Sequence, residues 1–203
     1  MGNRLTKIFT KKGDDGTTDL GGNNRVEKFD SQIIVYGELD ELGAAIGLIT
    51  CQENIPSDIL DFLQSAQQEM FNIAGELSAP EFQSLDDKKV VSIEDFIDRI
   101  NESLPPLKEF VVPGEEIRSA QTHMARAICR RAERSMVKLS KEREVNSFAL
   151  KYLNRLSDAF FVIARLLARE SSAEERLWKH ERAKKEESWI LRSYLSLIFT
   201  QMK

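Results

Sequence analysis

Cysteine and histidine are scarce in this chain, which has two of each among its 203 residues. Cys51, Cys129, His123 and His180 stand too far apart for the short ligand spacing of a zinc site, so no metal site is predicted. So few cysteines also exclude a disulfide framework, and without a secretory signal they favour a reducing cytoplasm. Neither histidine lies in a Ser/His/Asp or Cys/His pattern. We therefore expect His123 to pack or hydrogen-bond within a helix rather than to act as a general base.

The sequence also lacks a long apolar run and an excess of positive charge. Arg165 and Arg192 interrupt the best candidates for a membrane span, which needs about 18 apolar residues. The net charge is −4, which argues against a general nucleic-acid binder. With 41% hydrophobic and 31% charged residues, the composition predicts a soluble globular chain with neither a membrane nor a nucleic acid as partner.

Apolar residues at three- and four-residue spacing predict an all-α bundle preceded by a non-helical N-terminal arm, and strand signals are weak. One domain is predicted over 1–203, with an arm over 1–30, a bundle over 31–170 and a C-terminal helical extension over 171–203. The predicted helices begin at Ser31, at Pro56 and Ser57, at a Ser92/Asp95 pair that resembles a capping box, between Pro113 and Glu116, at Asn146 or Ser147, and near Ala173.

One predicted helix carries a row of arginines. The segment HMARAICRRAERSMVKL places Arg126, Arg130 and Arg134 four residues apart, so their like charges stack along one face. Two interpretations stay open at this point. The row is either a solvated face with acidic partners or an anion site, such as one for a polyphosphate, in which arginine supplies forked donors. The acids of the same region are Glu133, Glu142 and Glu144.

The next helix has a polar side as well. The segment YLNRLSDAFFVIAR places Asn154, Asp158 and Arg165 on one side and its large apolar residues on the other. Because Asn154 and Asp158 are four residues apart, both could face one ligand. They could equally tie neighbouring helices together by hydrogen bonds.

The polar stretch TKKGDDGTTDLGGNNRV, from Thr10 to Val26, has too few apolar residues to build a core. Gly13 and Gly16 permit backbone conformations in which N–H groups converge on an anion, and Lys11 and Lys12 add positive charge. The stretch matches neither the P-loop nor the dinucleotide fingerprint. By itself it indicates either a flexible surface arm or a segment that holds phosphate.

Four segments in this order resemble the PduO-type ATP:cob(I)alamin adenosyltransferases, a family of corrinoid adenosyltransferases. They are TKKGDDGTTDLGGNNRVEK, VYGELDELGAAIG, FVVPGEEIRSAQTHMARAICRRAER and YLNRLSDAFFVIAR, and the resemblance extends roughly from Thr6 to Lys179. It implies a five-helix bundle that assembles as a homotrimer with active sites between subunits. It also implies transfer of the 5′-deoxyadenosyl group of ATP, with Mg²⁺, to Co(I) of reduced cobalamin. Because the cobalt is the nucleophile, this reaction needs no catalytic Ser, Cys or His.

The resemblance also assigns residues to the site. Those implied to hold the nucleotide are Thr10, Lys11, Lys12, Gly13, Thr18 and Lys28 in the arm, Arg130, Arg131, Ala132, Glu133 and Arg134 on the arginine helix, and Asn154. Asp40 and Arg126 are implied to pair across subunits. Phe110 is implied to lie beside the corrin and help displace the lower ligand of cobalamin. Arg130, Phe110, Asp40 and Arg126 form the implied catalytic set.

Some positions depart from the family pattern. Glu115 stands where glycine usually repeats after Pro-Gly, and Gly43 stands where asparagine is common after Asp-Glu-Leu. The segment SWILRSYLSLIFTQMK is apolar enough to need cover by the bundle or by a partner. Alternative functions are an ATP-responsive cobalamin chaperone that hands product to an adenosylcobalamin-dependent enzyme, a nucleotide sensor without turnover, and a purely structural bundle.

Overall fold

The computed structural model describes residues 9–20, 24–114, 116–171 and 173–179, and within these ranges it is an all-α bundle with a small hairpin before it. The all-α prediction is confirmed. The helices are α1 (Ser31–Thr50), α2 (Ser57–Ser78), α3 (Asp87–Glu102), α4 (Ile117–Leu139) and α5 (Ser147–Glu170). The hairpin pairs β1 (Thr17–Asp19) with β2 (Arg25–Glu27) in antiparallel register, Thr18 opposite Val26.

The core lies where the apolar faces of the helices meet. α1 packs against α2 and α4, and α5 packs against α4 and α3. Leu39, Leu63, Met136 and Phe160 are among the large side chains that are fully buried there. Burying such a side chain contributes about 1.5–3 kcal/mol, so the helix faces predicted from periodicity are those that hold the fold together.

Side-chain caps fix where four of the helices begin, namely α1, α3, α4 and α5. Asp30 accepts a hydrogen bond from the Gln32 N–H at 2.9 Å, and Asn146 accepts one from the Phe148 N–H at 3.0 Å. A Glu116 carboxylate oxygen accepts the Ser119 N–H at 2.8 Å and starts α4. Each cap satisfies a backbone donor that the first helical turn leaves unpaired. The predicted start of α1 at Ser31 and the cap at Asn146 are confirmed.

The predicted start of α3 at the Ser92/Asp95 pair is wrong. The helix begins five residues earlier, at Asp87, and Asp86 caps it by accepting the Lys89 N–H at 3.1 Å. Val90 is buried, so the apolar face of the helix already extends before Ser92. The Ser92 spacing fits a capping box but lies inside a helix that has another cap.

The prediction of a helix beginning near Ala173 is also wrong. Residues 173–179 are not helical, and Leu177 instead forms an isolated antiparallel bridge with Val111 in the loop after α3. The rest of the predicted extension, including His180, Arg192 and the segment SWILRSYLSLIFTQMK, lies outside the described residues. Within the ranges that the structure covers, no helix is long and apolar enough to cross a membrane.

Candidate active site

The arginine row of α4 faces outward. Arg126 is half-buried, whereas Arg130 and Arg134 are exposed. Neither Arg130 nor Arg134 has a hydrogen bond or an ion pair with any residue in the described part of the chain. Their guanidinium groups are therefore available to an external anion, and guanidinium suits phosphate oxygens because its donors form a planar fork.

Arg131 differs from its neighbours because its charge is neutralised within the chain. Its Nε lies 3.7 Å from Glu38 Oε1, and its Nη2 contacts the Glu41 carboxylate. Both acids belong to α1, so this arginine ties α4 to α1. Its partners are therefore not the acids expected from the α4 region, which were Glu133, Glu142 and Glu144. Glu133 instead accepts a hydrogen bond from Asn154.

Glu133 and Asn154 lie together beside the row. Asn154 Nδ2 donates a hydrogen bond to Glu133 Oε1 at 2.7 Å, and Arg155 Nη1 donates one to Asn154 Oδ1 at 2.6 Å. Arg155 in turn pairs with Glu94 of α3 at 2.7 Å. Asn154 therefore ties helices together, as one of the two interpretations predicted. Asp158, one turn further along, is exposed.

The buried side of α4 serves packing. Ala132 is fully buried, so its side chain is part of the core rather than of the outward face. Burial raises the pKa of the Cys129 thiol, whose Sγ donates a hydrogen bond to the Leu153 carbonyl at 3.2 Å. A protonated, buried thiol is a poor nucleophile, which agrees with a site that has no catalytic cysteine.

The N-terminal arm is organised around Arg25. Its Nε donates to Thr17 Oγ1 at 3.0 Å and its Nη2 to the Lys12 carbonyl at 2.5 Å. The N–H and hydroxyl of Thr17 donate to Asp15, and these bonds lower the pKa of that carboxyl. Lys11 (φ 59°) and Gly16 (φ 89°) adopt left-handed backbone in the same turn. The arm is therefore a structured loop and not only an extended tail.

A polar cleft opens in this arm. It has a volume of about 370 Å³ and is lined by Thr10, Lys12, Gly13, Thr17, Thr18, Asp19 and Arg25. A Cβ at Gly13 would lie 3.2 Å from the Thr17 carbonyl oxygen and 3.3 Å from Lys28 Nζ, so glycine lets the lysine approach the backbone. Thr10, Lys12, Gly13, Thr18 and Lys28, which the resemblance grouped, are thus close to one another.

The arm and the arginine row are not brought together within one chain. β1 and β2 contact each other, and neither packs against any of the described helices. The arm is tied to the bundle at its end, where Arg143 binds Asp30 and Gln32, each at 2.6 Å. A ligand that touches both groups would have to join surfaces that are separate in this chain.

Asp40 and Arg126 form neither a hydrogen bond nor an ion pair with each other within this chain. Asp40 is exposed on α1, and no described residue gives it a hydrogen bond or ion pair. The Arg126 guanidinium lies 5.3 Å from the centre of the Phe161 ring, and its buried Nε has no hydrogen-bond partner in the described ranges. A buried donor without a partner destabilises the fold. Arg126 Nε can therefore still donate a hydrogen bond to an anionic group.

His123 packs next to Arg126. Its ring meets the edge of Phe161 at 6.1 Å between centroids, which confirms the expectation of a packing role. Burial lowers the pKa of His123, the charge of Arg126 lowers it further, and Glu175 opposes both. The imidazole is therefore neutral at neutral pH.

Phe110 lies in the loop after α3 and is 77% exposed. This exposure rules out the alternative that Phe110 is simply a core residue. Its ring centroid lies 6.3 Å from that of Trp178, and its carbonyl accepts the Trp178 N–H at 2.8 Å. Sequence reasoning missed Trp178, although a lone tryptophan in the polar run ESSAEERLWKHERAK was a signal. The two rings form an apolar surface at one end of the bundle.

Of the two departures from the family pattern, Gly43 and Glu115, the structure describes only Gly43. A Cβ at Gly43 would meet nothing within 4 Å, so the backbone there has room for the commoner asparagine. The Gly43 carbonyl accepts a hydrogen bond from Gln67 Nε2 at 2.9 Å. Glu115 lies outside the described residues.

Comparison with known proteins places this geometry in a family. The cobalamin adenosyltransferase profile matches residues 8–167. A cobalamin adenosyltransferase of Cupriavidus metallidurans is 42% identical over 182 residues, which are 90% of this chain and 99% of that protein. A corrinoid adenosyltransferase of Mycobacterium tuberculosis is 37% identical over 175 residues, 82% of this chain and 91% of that one.

Solved structures agree. A phenylalanine-to-alanine variant of the PduO-type ATP:corrinoid adenosyltransferase from Lactobacillus reuteri, complexed with cobalamin and ATP, has a TM-score of 0.81 and 31% identity over 86% of this chain and 100% of that one. An arginine-to-lysine variant of that enzyme, complexed with ATP, has a TM-score of 0.78 and 32% identity over 85% of this chain and 100% of that one. The chain therefore belongs to the cobalamin adenosyltransferase family, of the PduO type.

Proposed function

We propose that this chain is an ATP:corrinoid adenosyltransferase, with ATP and reduced cobalamin as its two substrates. Co(I) attacks the 5′ carbon of ATP, the Co–C bond forms, and the bond from that carbon to oxygen breaks. Triphosphate leaves with the bonding electron pair, and the product is adenosylcobalamin. The observation that carries this proposal is the pair of exposed arginines on α4, Arg130 and Arg134, which have no partner among the described residues of a chain of this family.

The chemistry requires alignment of two large ligands and stabilisation of a growing negative charge. Arg130 and Arg134 present donors outward from a helix, where they can meet charge that develops on the triphosphate. In the arm, Lys11, Lys12 and Lys28 add cations to a backbone turn. Neither group has to take a proton or form a covalent bond, because the corrinoid supplies the nucleophile.

The proposal includes Mg²⁺ bound with the nucleotide. The described residues contain no group of three side chains arranged to hold a metal ion. Mg²⁺ in nucleotide sites is held largely by phosphate oxygens and water, with one or two carboxylates, and needs no cage of protein ligands. The donor set of this chain therefore fits an ion that arrives with ATP.

We further propose a homotrimer whose active sites lie between subunits. The separation of the arm from the arginine row supports this, because a neighbouring chain would bring the two surfaces together. Arg126 Nε and Asp40 support it too, since neither has a partner among the described residues and each could bind the other across an interface. A cytoplasmic location and delivery of product to an adenosylcobalamin-dependent enzyme belong to the same proposal.

The test is turnover by the purified full chain. ATP, Mg²⁺ and chemically reduced cobalamin are mixed without oxygen, and the visible spectrum is followed as the Co–C bond forms. We expect multiple turnovers that depend on ATP. Binding of both ligands without the spectral change would support a sensor instead, and product retained until a dependent enzyme is added would support a chaperone role. Absence of ATP binding would leave only a structural bundle.

A further inference from the structure

Arg165 carries a charge in an almost fully buried position. Its side chain on α5 is 3% exposed, and that of its partner Glu175 is 8% exposed. Arg165 Nε donates to Glu175 Oε1 at 2.7 Å, and its Nη2 donates to the Pro105 carbonyl at 2.8 Å. Arg169 Nη1 lies 3.6 Å from the other carboxylate oxygen of Glu175. Arg165 thus joins α5, the start of the loop after α3, and the segment after α5.

The segment fixed by Glu175 then pairs with the loop that carries Phe110. The Val112 N–H donates to the Arg176 carbonyl at 2.7 Å, and the Trp178 N–H donates to the Phe110 carbonyl at 2.8 Å. These hydrogen bonds flank the bridge between Val111 and Leu177. The loop is therefore held at its start by Arg165 directly, and at Phe110 through the segment that Arg165 anchors.

We propose that Arg165 and Glu175 are positioning residues that set the place of Phe110. This inference rests on the proposed function, together with the place beside the corrin that the family resemblance implies for Phe110. Phe110 is 77% exposed and has little packing of its own, so the hydrogen bonds of its backbone must hold the ring. A ring that acts by occupying space is effective only if it is held within a fraction of an ångström.

The ion pair is better suited to fixing geometry than to adding stability. Two buried charges lose most of their hydration, and apolar residues of similar size often stabilise a protein as well or better. Arginine also reaches a carboxylate and a carbonyl at once, which an apolar side chain cannot do. A purely structural role would affect melting alone, whereas a positioning role also affects the loop and the reaction at Phe110.

The first experiment measures the loop itself. Hydrogen exchange is followed in peptides spanning 105–114 and 173–179 for the wild-type chain, Glu175→Gln and Arg165→Met. We expect exchange in both peptides to rise by about tenfold or more in both variants, with α4 and α5 unchanged. Glu69→Gln is the control, because it breaks another ion pair, with Lys89 at 2.7 Å, that touches neither segment. Unchanged exchange in the two peptides would overturn the proposal.

The second experiment asks whether the effect acts through Phe110. Adenosylation that starts from cob(II)alamin, with a reductant present, is compared in Glu175→Gln, Phe110→Ala and the double variant. We expect Glu175→Gln to lower kcat about tenfold with the KM for ATP changed less than twofold, and to have no further effect in the Phe110→Ala background. Equal losses in both backgrounds would contradict the proposal.

The two experiments separate this inference from the proposed function. If the wild-type chain has no adenosylation activity, the proposed function fails, and the exchange measurement still decides whether Arg165 and Glu175 hold the loop. If the wild type is active and Glu175→Gln keeps full activity despite a mobile loop, the proposed function stands and the positioning role is refuted.

Discussion

The Arg126 guanidinium lies 5.3 Å from the ring centre of Phe161, and its Nε is buried without a hydrogen-bond partner among the described residues. The aromatic face accommodates the cation but leaves this donor unsatisfied. Such an arrangement favours a further anionic partner, and we predict that Asp40 of a neighbouring chain supplies it.

Replacing Asp40 tests that pairing. Asp40→Asn removes the charge and keeps the size, and breaking a buried pair on one side typically costs about 3–5 kcal/mol. We expect light scattering to show loss of trimer at micromolar concentration, or activity to fall at least tenfold. The control is Asp61→Asn, which changes an exposed aspartate on a different helix, α2, and should behave like the wild type. A monomeric wild-type protein with full activity would refute the shared site.

Lys11 and Arg130 are predicted to hold the triphosphate. Each lost charge-assisted hydrogen bond should cost about 1.5–3 kcal/mol, which is about ten- to a hundredfold in ATP affinity or in turnover. Calorimetric titration with ATP and steady-state kinetics of Lys11→Ala and Arg130→Ala measure this. Lys138→Ala, an exposed cation in the last turn of the same helix, is the matched control. If Arg130→Ala bound and turned over ATP normally, the assignment would be wrong.

Phe110→Ala should separate catalysis from stability. Because the ring is 77% exposed, we expect its loss to change the free energy of unfolding by no more than about 0.5 kcal/mol, far less than the 3–5 kcal/mol of a core phenylalanine. The resemblance implies that Phe110 helps displace the lower ligand of cobalamin, which leaves the cobalt four-coordinate. Without the ring, adenosylation from cob(II)alamin should fall sharply, and the spectrum of four-coordinate cob(II)alamin in the ATP complex should disappear. Phe71→Ala, at another exposed phenylalanine, controls for loss of surface area. An unaltered four-coordinate signal would exclude ligand displacement by Phe110.

His123 should make stability depend on pH. Its pKa is lowered in the folded state by burial and by Arg126, so the unfolded chain binds a proton more readily. Stability is therefore full above the unfolded pKa of about 6.5 and falls as pH drops below it toward the folded pKa. We expect His123→Gln to lose less stability than the wild type between pH 7.5 and 5.5 in urea denaturation. Equal losses in both proteins would show that His123 is not responsible.

The sequence was most informative where the structure depends on local patterns. Periodicity placed α1 correctly, and periodicity with a cap placed α5, where Asn146 satisfies a donor only two residues away. The same reasoning failed at Ser92, since a capping pattern cannot show that Asp86 already caps that helix. Local signals also could not reveal the hairpin in the arm, where Arg25 contacts Lys12 across thirteen positions.

The candidate site was harder to predict than the helices, because it is built from contacts between segments that are distant in the sequence. Periodicity put Arg165 on the same side of α5 as Asn154 and Asp158, yet the structure buries Arg165 beneath Glu175 and Pro105. That burial depends on the segment after α5 folding back over the bundle, which no spacing in the sequence indicates. The pairing of Arg131 with α1 and the tilted contact between the Trp178 and Phe110 rings also went unpredicted, because each joins segments that are distant in the sequence.

Product stoichiometry tests the central claim most directly. The purified chain is given ATP, Mg²⁺ and Co(I) cobalamin, and adenosylcobalamin is quantified by its spectrum while the phosphate products are quantified by ³¹P NMR. Attack at the 5′ carbon predicts one intact triphosphate for each adenosylcobalamin formed. ATP consumed to ADP and phosphate, with no Co–C bond formed, would contradict the account.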